Sequence, residues 1–125
     1  MLADTDVLIW YLKGNEKAFD IIERETALRL SVVTYMEMVQ GMRNKKELNF
    51  LRKALKNWDA EIIYINEEIS IEAMFFVEQH YLSHSLQLAD ALIAATAVLN
   101  GLSLLTGNDR HYKMIKNLQI EIFRP

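Results

Sequence analysis

Acidic side chains stand at several points where an apolar run of the sequence ends or a long apolar segment begins. Asp4 and the pair Asn108 and Asp109 follow two such runs, Glu37 follows a third, and Asp90 opens an apolar segment. Carboxylates that converge repel one another unless a cation neutralises them. Because carboxylate oxygens are hard ligands, such a group favours Mg²⁺ or Mn²⁺ over Zn²⁺. The pattern therefore predicts a divalent metal site built from these acids.

Each acid could instead have a structural role. Burying an unpaired carboxylate costs more than the ~0.3–1 kcal/mol gained from a helix dipole, so a bound cation explains Asp4 and Asp90 better than local geometry does. Thr34-x-x-Glu37 matches a capping box, which leaves Glu37 ambiguous on its own. Asp6 is predicted to cap the helix that begins after it, with water-mediated support of a metal as the second interpretation.

Histidines offer a different metal chemistry. His80 and His84 have the spacing of a two-histidine zinc pair, but no Glu follows His80 and no third ligand is evident. Zinc is therefore the weaker interpretation. His111 lies near a predicted strand end, and we expect it to be a surface residue and not a general base.

Basic residues are concentrated in the segment 43–56, where Glu47 is the only acid. The simplest interpretation is the solvated face of a helix, and phosphate binding requires the acidic site to lie nearby. Under that condition, Arg43, Lys53 and Lys56 are the candidates for contacts with a phosphate-bearing substrate.

The elements that position these residues are expected to form one domain, 1–125. Hydrophobic residues make up 51% and charged residues 25%, the balance of an ordered globular chain. The absence of Cys excludes disulfides and thiolate metal sites and favours a reducing cytoplasm. We expect no signal peptide and no membrane span, and the net charge of −3 does not by itself indicate a nucleic-acid binder.

Short apolar runs alternate with segments of helical period, which predicts an α/β fold. Strands are predicted at 2–3, 27–33, 61–65, 102–105 and 119–123, an amphipathic helix through Leu48, Leu51, Leu55 and Trp58, and a buried helix at 88–99. Right-handed crossovers between such strands give a three-layer α/β/α sandwich around a mostly parallel central sheet of about five strands. Function in such sheets collects at the carboxyl ends of the strands, where the candidate acids stand.

Four segments of the chain resemble a known family. They are L-A-D-T-D-V-L-I at 2–9, S-V-V-T-Y-M-E-M-V-Q-G at 31–41, L-A-D-A-L-I-A-A-T-A at 88–97 and L-L-T-G-N-D-R-H-Y at 104–112. Each segment is weakly specific, but in this order and spacing they resemble a PIN domain of the VapC toxin type over essentially the whole chain. The resemblance implies a parallel sheet between helices.

By position, the resemblance implies that Asp4 and Asp90 bind the metal and that Glu37 is the family's helix glutamate. Thr106 and Asn108 match its Thr-x-Asp/Asn segment, which makes Thr106 a candidate for substrate contact. The chain departs from the pattern in the fourth acidic position, because Asn stands at 108 and a carboxylate only at Asp109. Either residue could therefore complete the site.

The resemblance implies an Mg²⁺- or Mn²⁺-dependent endoribonuclease, a cytoplasmic toxin that often forms a homodimer and is silenced by an antitoxin protein. Two other interpretations remain open. Asp4-Thr5-Asp6 also matches the nucleophile motif of haloacid-dehalogenase-like phosphatases, although that family's late Gly-Asp-x-x-x-Asp motif is missing. The chain could also be a non-catalytic RNA-binding or adaptor domain on the same fold.

Overall fold

A computed structural model describes the whole chain, Met1 to Pro125, as alternating strands and helices. The strands are β1 Leu2–Ala3, β2 Arg29–Ser31, β3 Glu61–Ile63, β4 Leu104–Thr106 and β5 Ile120–Ile122. The helices are α1 Thr5–Leu12, α2 Glu16–Arg24, α3 Val32–Gln40, α4 Lys45–Asn57, α5 Glu67–His84 and α6 Leu88–Leu99. A single turn of 3-10 helix, Asp109–His111, lies between β4 and β5. None of the helices is both long and apolar enough to cross a membrane.

All five strands join one parallel sheet in the order β3-β2-β1-β4-β5. The central strand is β1, in which Leu2 lies opposite Arg29 of β2 on one side and Leu104 of β4 on the other. The strand order therefore reverses at β1. In open parallel sheets, ligands bind in the crevice outside the carboxyl ends of the strands at such a reversal.

The sheet separates two hydrophobic cores, one on each face. Successive strand residues alternate between them, since Leu2 and Leu104 pack with residues of α5 and α6 whereas Ala3 and Leu105 pack with residues of α1, α2 and α4. Strands covered on both faces contain few polar residues, which explains the brief apolar runs in the sequence. The predicted three-layer α/β/α sandwich is confirmed, and its sheet is entirely parallel.

The helix after β2 begins earlier than the sequence pattern predicts. Ser31 is its N-cap, because the Ser31 Oγ accepts a hydrogen bond from Val33 N at 3.1 Å. The end of the predicted strand 27–33 is therefore helical, although Val32 and Val33 favour strands by propensity. Thr34 lies inside the helix, so the predicted capping box with Glu37 is wrong.

The other predicted elements are confirmed, with changes at their ends. The predicted helix 88–99 is α6, which Gly101, with a φ of 64°, helps to end. Leu51 of α4 is buried and Leu48 and Leu55 are half-buried, so the basic residues of this helix point to solvent. β3, β4 and β5 are each three residues long and shorter than the segments predicted for them.

Candidate active site

Asp4 lies at the carboxyl end of β1, beside β4, and is 3% exposed. Its Oδ1 accepts a hydrogen bond from Thr5 N and its Oδ2 accepts one from Thr106 Oγ1, both at 2.8 Å. No Lys or Arg pairs with it. Burial, reinforced by the charge of Asp6, raises the pKa of Asp4 from 3.8 to about 6. Only a proton or a bound cation would neutralise this carboxylate.

Asp6 lies in the first turn of α1 and contacts the segment that follows β4. Its Oδ2 accepts a hydrogen bond from Gly107 N at 2.8 Å, whereas its Oδ1 is buried without a hydrogen-bond partner. Burial also raises the pKa of Asp6. The prediction that Asp6 caps α1 is wrong, because Asp4 is the N-cap. A buried oxygen without a partner is a place where a cation or an ordered water stabilises the fold.

Asp90 lies in the first turn of α6, where two side chains from the segment after β4 contact its carboxylate. Its Oδ1 accepts a hydrogen bond from the Tyr112 hydroxyl at 3.2 Å, and its Oδ2 lies 3.4 Å from His111 Nδ1. The Tyr112 hydroxyl also lies against Asp4. Burial and the charges of both carboxylates raise the pKa of Tyr112 far above its ordinary value. One phenol therefore connects the two acids.

The sequence does not single out Tyr112, and it predicts a plain surface role for His111. The His111 side chain is indeed 56% exposed, but it contacts Asp90. The signal available for Tyr112 was its place in an apolar pattern with Ile115 and Leu118, all three of which are buried. A tyrosine buried in a core needs a hydrogen-bond partner for its hydroxyl. Acids of the sequence that have no evident partner are the candidates for that role.

Glu37 lies in the middle of α3 and reaches the start of α1. Its Oε1 accepts a hydrogen bond from Thr5 Oγ1 at 2.7 Å, and Thr5 Oγ1 lies 3.2 Å from Thr34 Oγ1. Thr5 therefore connects Glu37 with Asp4, whose carboxylate accepts from the Thr5 backbone. Glu37 is half-buried and pairs with no Lys or Arg.

Asn108 and Asp109 have different surroundings in the structure. Arg124 Nη1 donates to Asp109 Oδ1 at 2.9 Å, and this hydrogen bond lowers the pKa of Asp109. Asn108 is exposed, and its backbone N–H donates to Thr106 Oγ1. Thr106 is fully buried and its hydroxyl donates to Asp4 Oδ2. The substrate contact by Thr106 stays a prediction.

The donors at this edge of the sheet suit a hard divalent cation. The carboxylates of Asp4, Asp6 and Asp90 have no Lys or Arg partner, and one oxygen of Asp6 has no partner at all. No three His, Asp or Glu side chains lie close enough to hold an ion by themselves. Mg²⁺ fits such a site, because proteins usually bind it through one or two carboxylates while it keeps several waters.

The predicted basic and histidine residues have other surroundings. A groove of about 1150 Å³ lies between α1, the end of α3 and α4, and Arg43 and Lys53 line it, whereas Lys56 is exposed outside its lining. Arg43 forms an ion pair with Glu47 at 2.7 Å, which leaves Lys53 and Lys56 as the unpaired cations of the three.

His80 and His84 contact each other edge to face, with ring centroids 6.0 Å apart, and no third metal-ligating side chain joins them.

This fold, with acids at the carboxyl edge of its sheet, is the one that the sequence motifs indicated. The chain belongs to the PIN-domain family, whose model matches residues 1–117. Within the curated proteins it is similar to Ribonuclease VapC10 of Mycobacterium tuberculosis, at 33% identity over 95% of this chain and 90% of that protein. It is also similar to Ribonuclease VapC1 of Methanocaldococcus jannaschii, at 28% identity over 98% of this chain and 86% of that protein.

Solved structures share the same fold. A toxin–antitoxin complex from Klebsiella pneumoniae contains a chain that matches with a TM-score of 0.79 at 29% identity, over 94% of this chain and 93% of that one. The DNA-bound VapBC structure from Salmonella typhimurium matches with a TM-score of 0.83 at 20% identity, over 97% and 96% of the two chains. The resemblance to VapC-type PIN domains is thereby confirmed.

Proposed function

We propose that the protein is a VapC-type endoribonuclease, the toxin of a toxin–antitoxin pair, which hydrolyses phosphodiester bonds of RNA with Mg²⁺ or Mn²⁺. The observation that carries this proposal is that Asp4, at the carboxyl end of the central strand, and Asp90 both lie beside the Tyr112 hydroxyl without a Lys or Arg partner. The relatives named as ribonucleases support it, and PIN-domain ribonucleases generally depend on divalent metals. The expected place of action is the cytoplasm, as for VapC toxins in general.

The proposed roles follow from the surroundings of each side chain. Asp4 and Asp90 would hold the ion, and the hydrogen bond from the Thr106 hydroxyl fixes the orientation of Asp4. When bound there, the ion would lower the pKa of a coordinated water and offset the charge of the phosphate. Glu37 and Asn108 would complete the site through water, since Asp109 is already paired with Arg124. The expected products carry 5′-phosphate and 3′-hydroxyl ends.

A cleavage assay with purified protein and a mixed RNA substrate tests the proposal. Mg²⁺ and Mn²⁺ should each support cleavage, and Ca²⁺, with its longer bonds and looser geometry, should support binding but poor turnover. EDTA should abolish cleavage and re-addition of Mg²⁺ should restore it. RNA binding without cleavage in any metal would indicate the adaptor domain instead, and full activity in EDTA would overturn the metal site.

An antitoxin partner is expected because the matched chain from Klebsiella pneumoniae was solved in a toxin–antitoxin complex.

A homodimer is also proposed, and a row of large apolar side chains on the solvent side of α5 supports it. The row consists of Ile71, Met74, Phe75 and Leu82, and Leu82 is 95% exposed. A second copy of the chain would cover this row. Light scattering should report a dimer for the wild type and a monomer for Met74→Glu with Leu82→Glu; a monomeric wild type would contradict the dimer.

A further inference from the structure

Resting on the proposed function, we infer that Tyr112 is a positioning residue of the metal site, whose buried hydroxyl holds the Asp4 and Asp90 carboxylates beside each other. The hydroxyl donates to Asp90 Oδ1 at 3.2 Å and lies against Asp4. The two acids come from elements far apart in the sequence, β1 and α6. Tyr112 is the side chain that contacts both.

The backbone and the core fix the place of this hydroxyl. Tyr112 N donates to Asp109 O at 3.1 Å at the end of the 3-10 turn, and Ile115 N donates to Tyr112 O at 3.0 Å. The ring is fully buried in the core on the α5 and α6 side of the sheet. Phe would fill the same space in this core, so the hydroxyl is not required for packing. Its one hydrogen-bond partner is Asp90, and Asp4 is the other acid beside it.

The Tyr112 hydroxyl takes over part of the role of a metal ion, because it lies beside both carboxylates. It has one proton and can donate to one carboxylate at a time, so it orients the acids without neutralising either charge. The phenol acts as a hydrogen-bond donor to Asp90 and not as a phenolate ligand. Side chains that orient metal ligands in this way typically contribute about 10–100-fold to metal affinity.

His111 contacts the same acid from the other side, with Nδ1 3.4 Å from Asp90 Oδ2. It is more than half exposed, so water competes for this contact. Tyr112 is fully buried, and water cannot replace its hydroxyl when the hydroxyl is removed. Removal of the Tyr112 hydroxyl should therefore disturb the positions of the acids more than removal of the His111 ring.

Calorimetric titration of Mn²⁺ into the RNA-free protein tests the inference with Tyr112→Phe. The dissociation constant for Mn²⁺ should rise about 10–100-fold. Cleavage should require correspondingly more Mn²⁺ for half-maximal rate and recover most of its turnover at saturating metal. Tyr11→Phe is the matched control, because its hydroxyl also donates to a carboxylate, Glu23, on the α1 and α2 surface away from these acids. That variant should bind Mn²⁺ as the wild type does.

Equal Mn²⁺ affinity in Tyr112→Phe and wild type would overturn the positioning role and leave the ribonuclease proposal intact. Mn²⁺ binding by the wild type that weakens in Tyr112→Phe, with no RNA cleavage by either, would support the positioning role and overturn the ribonuclease. A wild type that does not bind Mn²⁺ overturns both. Urea unfolding in EDTA adds a check, since the effects of Tyr112→Phe and Asp90→Asn on the free energy of unfolding should not be additive when the two groups contact each other.

Discussion

At the scale of single residues, the carboxylate of Asp4 carries a charge that its surroundings orient but do not cancel. Its donors, the Thr5 N–H and the Thr106 hydroxyl, are neutral, and the charge that perturbs its pKa is the negative Asp6. An Arg or Lys in their place would neutralise the acid and compete with a metal. The arrangement therefore favours cation binding and destabilises the fold when no cation is bound.

Removal of one charge at a time tests this. Asp4→Asn, Glu37→Gln and Asp90→Asn should each lower RNA cleavage by roughly two or more orders of magnitude, and the triple variant should be scarcely less active than the worst single one, because residues that bind one ion act as a unit. In EDTA, thermal stability should be unchanged or higher, since repulsion is relieved. Asp20→Asn, at an exposed position of α2, is the control. Strong destabilisation by Asp90→Asn with cleavage intact would make Asp90 a structural residue.

The metal-free protein should also lose stability as the pH rises. Folded Asp4 keeps its proton up to about pH 6, whereas an unfolded Asp releases it near 3.8. The folded state binds more protons in this window, so the free energy of unfolding falls as the pH rises from about 4 to 6 and then levels off. A pKa difference of this size corresponds to about 3 kcal/mol.

Urea unfolding in EDTA at a series of pH values measures this slope. Asp4→Asn should flatten most of it and leave the contribution of Asp6, whose pKa is also raised. Tyr112 faces the same carboxylate and is unchanged in this variant. Stability of the wild type that rises between pH 4 and 6 would show that Asp4 is not the buried acid described here.

At the scale of elements, helices and strands can be predicted from the sequence to the extent that they are long enough to show a hydrophobic pattern. The twelve residues of α6 and thirteen of α4 span several turns. The apolar periodicity of α4 and the almost uniformly apolar composition of α6 identify them from the sequence. Strands of two or three residues carry too little alternation to fix their ends. At β2, one hydrogen bond from Val33 N to Ser31 Oγ ends the strand against the propensity of the valines.

The candidate site divides in the same way. Asp4 is a candidate from the sequence because the ends of parallel strands converge, and Asp90 because it is a carboxylate that opens a buried helix. The contacts that hold the site could not be predicted, since Thr5 and Glu37 are 32 residues apart and Tyr112 and Asp90 are 22 apart. Such contacts depend on how α1, α3 and α6 pack, which no local pattern encodes.

The junction of α1 with the segment after β4 is tightly packed at Gly107. A Cβ there would lie 2.6 Å from Asp6 Oδ2 and 3.1 Å from Phe123 O, although the backbone of Gly107 is not in the left-handed region. Gly107→Ala should therefore lower the free energy of unfolding by about 1–3 kcal/mol through overpacking and should reduce cleavage by displacing Asp6.

Gly41→Ala is the control for this variant, because its Cβ would make only ordinary contacts, at 3.4 Å from Met38 O and 3.7 Å from Glu37 O. Urea unfolding should place Gly41→Ala within about 0.5 kcal/mol of the wild type. Equal stability of both alanine variants would mean that the Asp6 carboxylate moves freely and does not tie α1 to the sheet edge.

At the scale of the whole molecule, the net charge of −3 hides an uneven distribution. The unpaired acids gather at the carboxyl edge of the sheet, while Lys53 and Lys56 project from α4 with no acidic partner. A strongly acidic edge repels RNA unless cations lie beside it. The basic face of α4 could supply them, and this would reconcile an acidic protein with a polyanionic substrate.

Salt dependence of RNA binding tests this role of α4. Binding is measured in the Asp4→Asn background, so that the RNA stays intact, as the dissociation constant of a single-stranded RNA across a series of salt concentrations. If Lys53 and Lys56 each neutralise one phosphate, Lys53→Glu and Lys56→Glu should each weaken binding and reduce the slope of log affinity against log salt by about 0.7, because fewer counterions are released. Lys17→Glu changes the net charge equally from an exposed position on α2 and should leave the slope nearly unchanged. Equal slopes in all of these variants would mean that α4 is only solvated, and that the RNA reaches the acidic edge from another face of the protein.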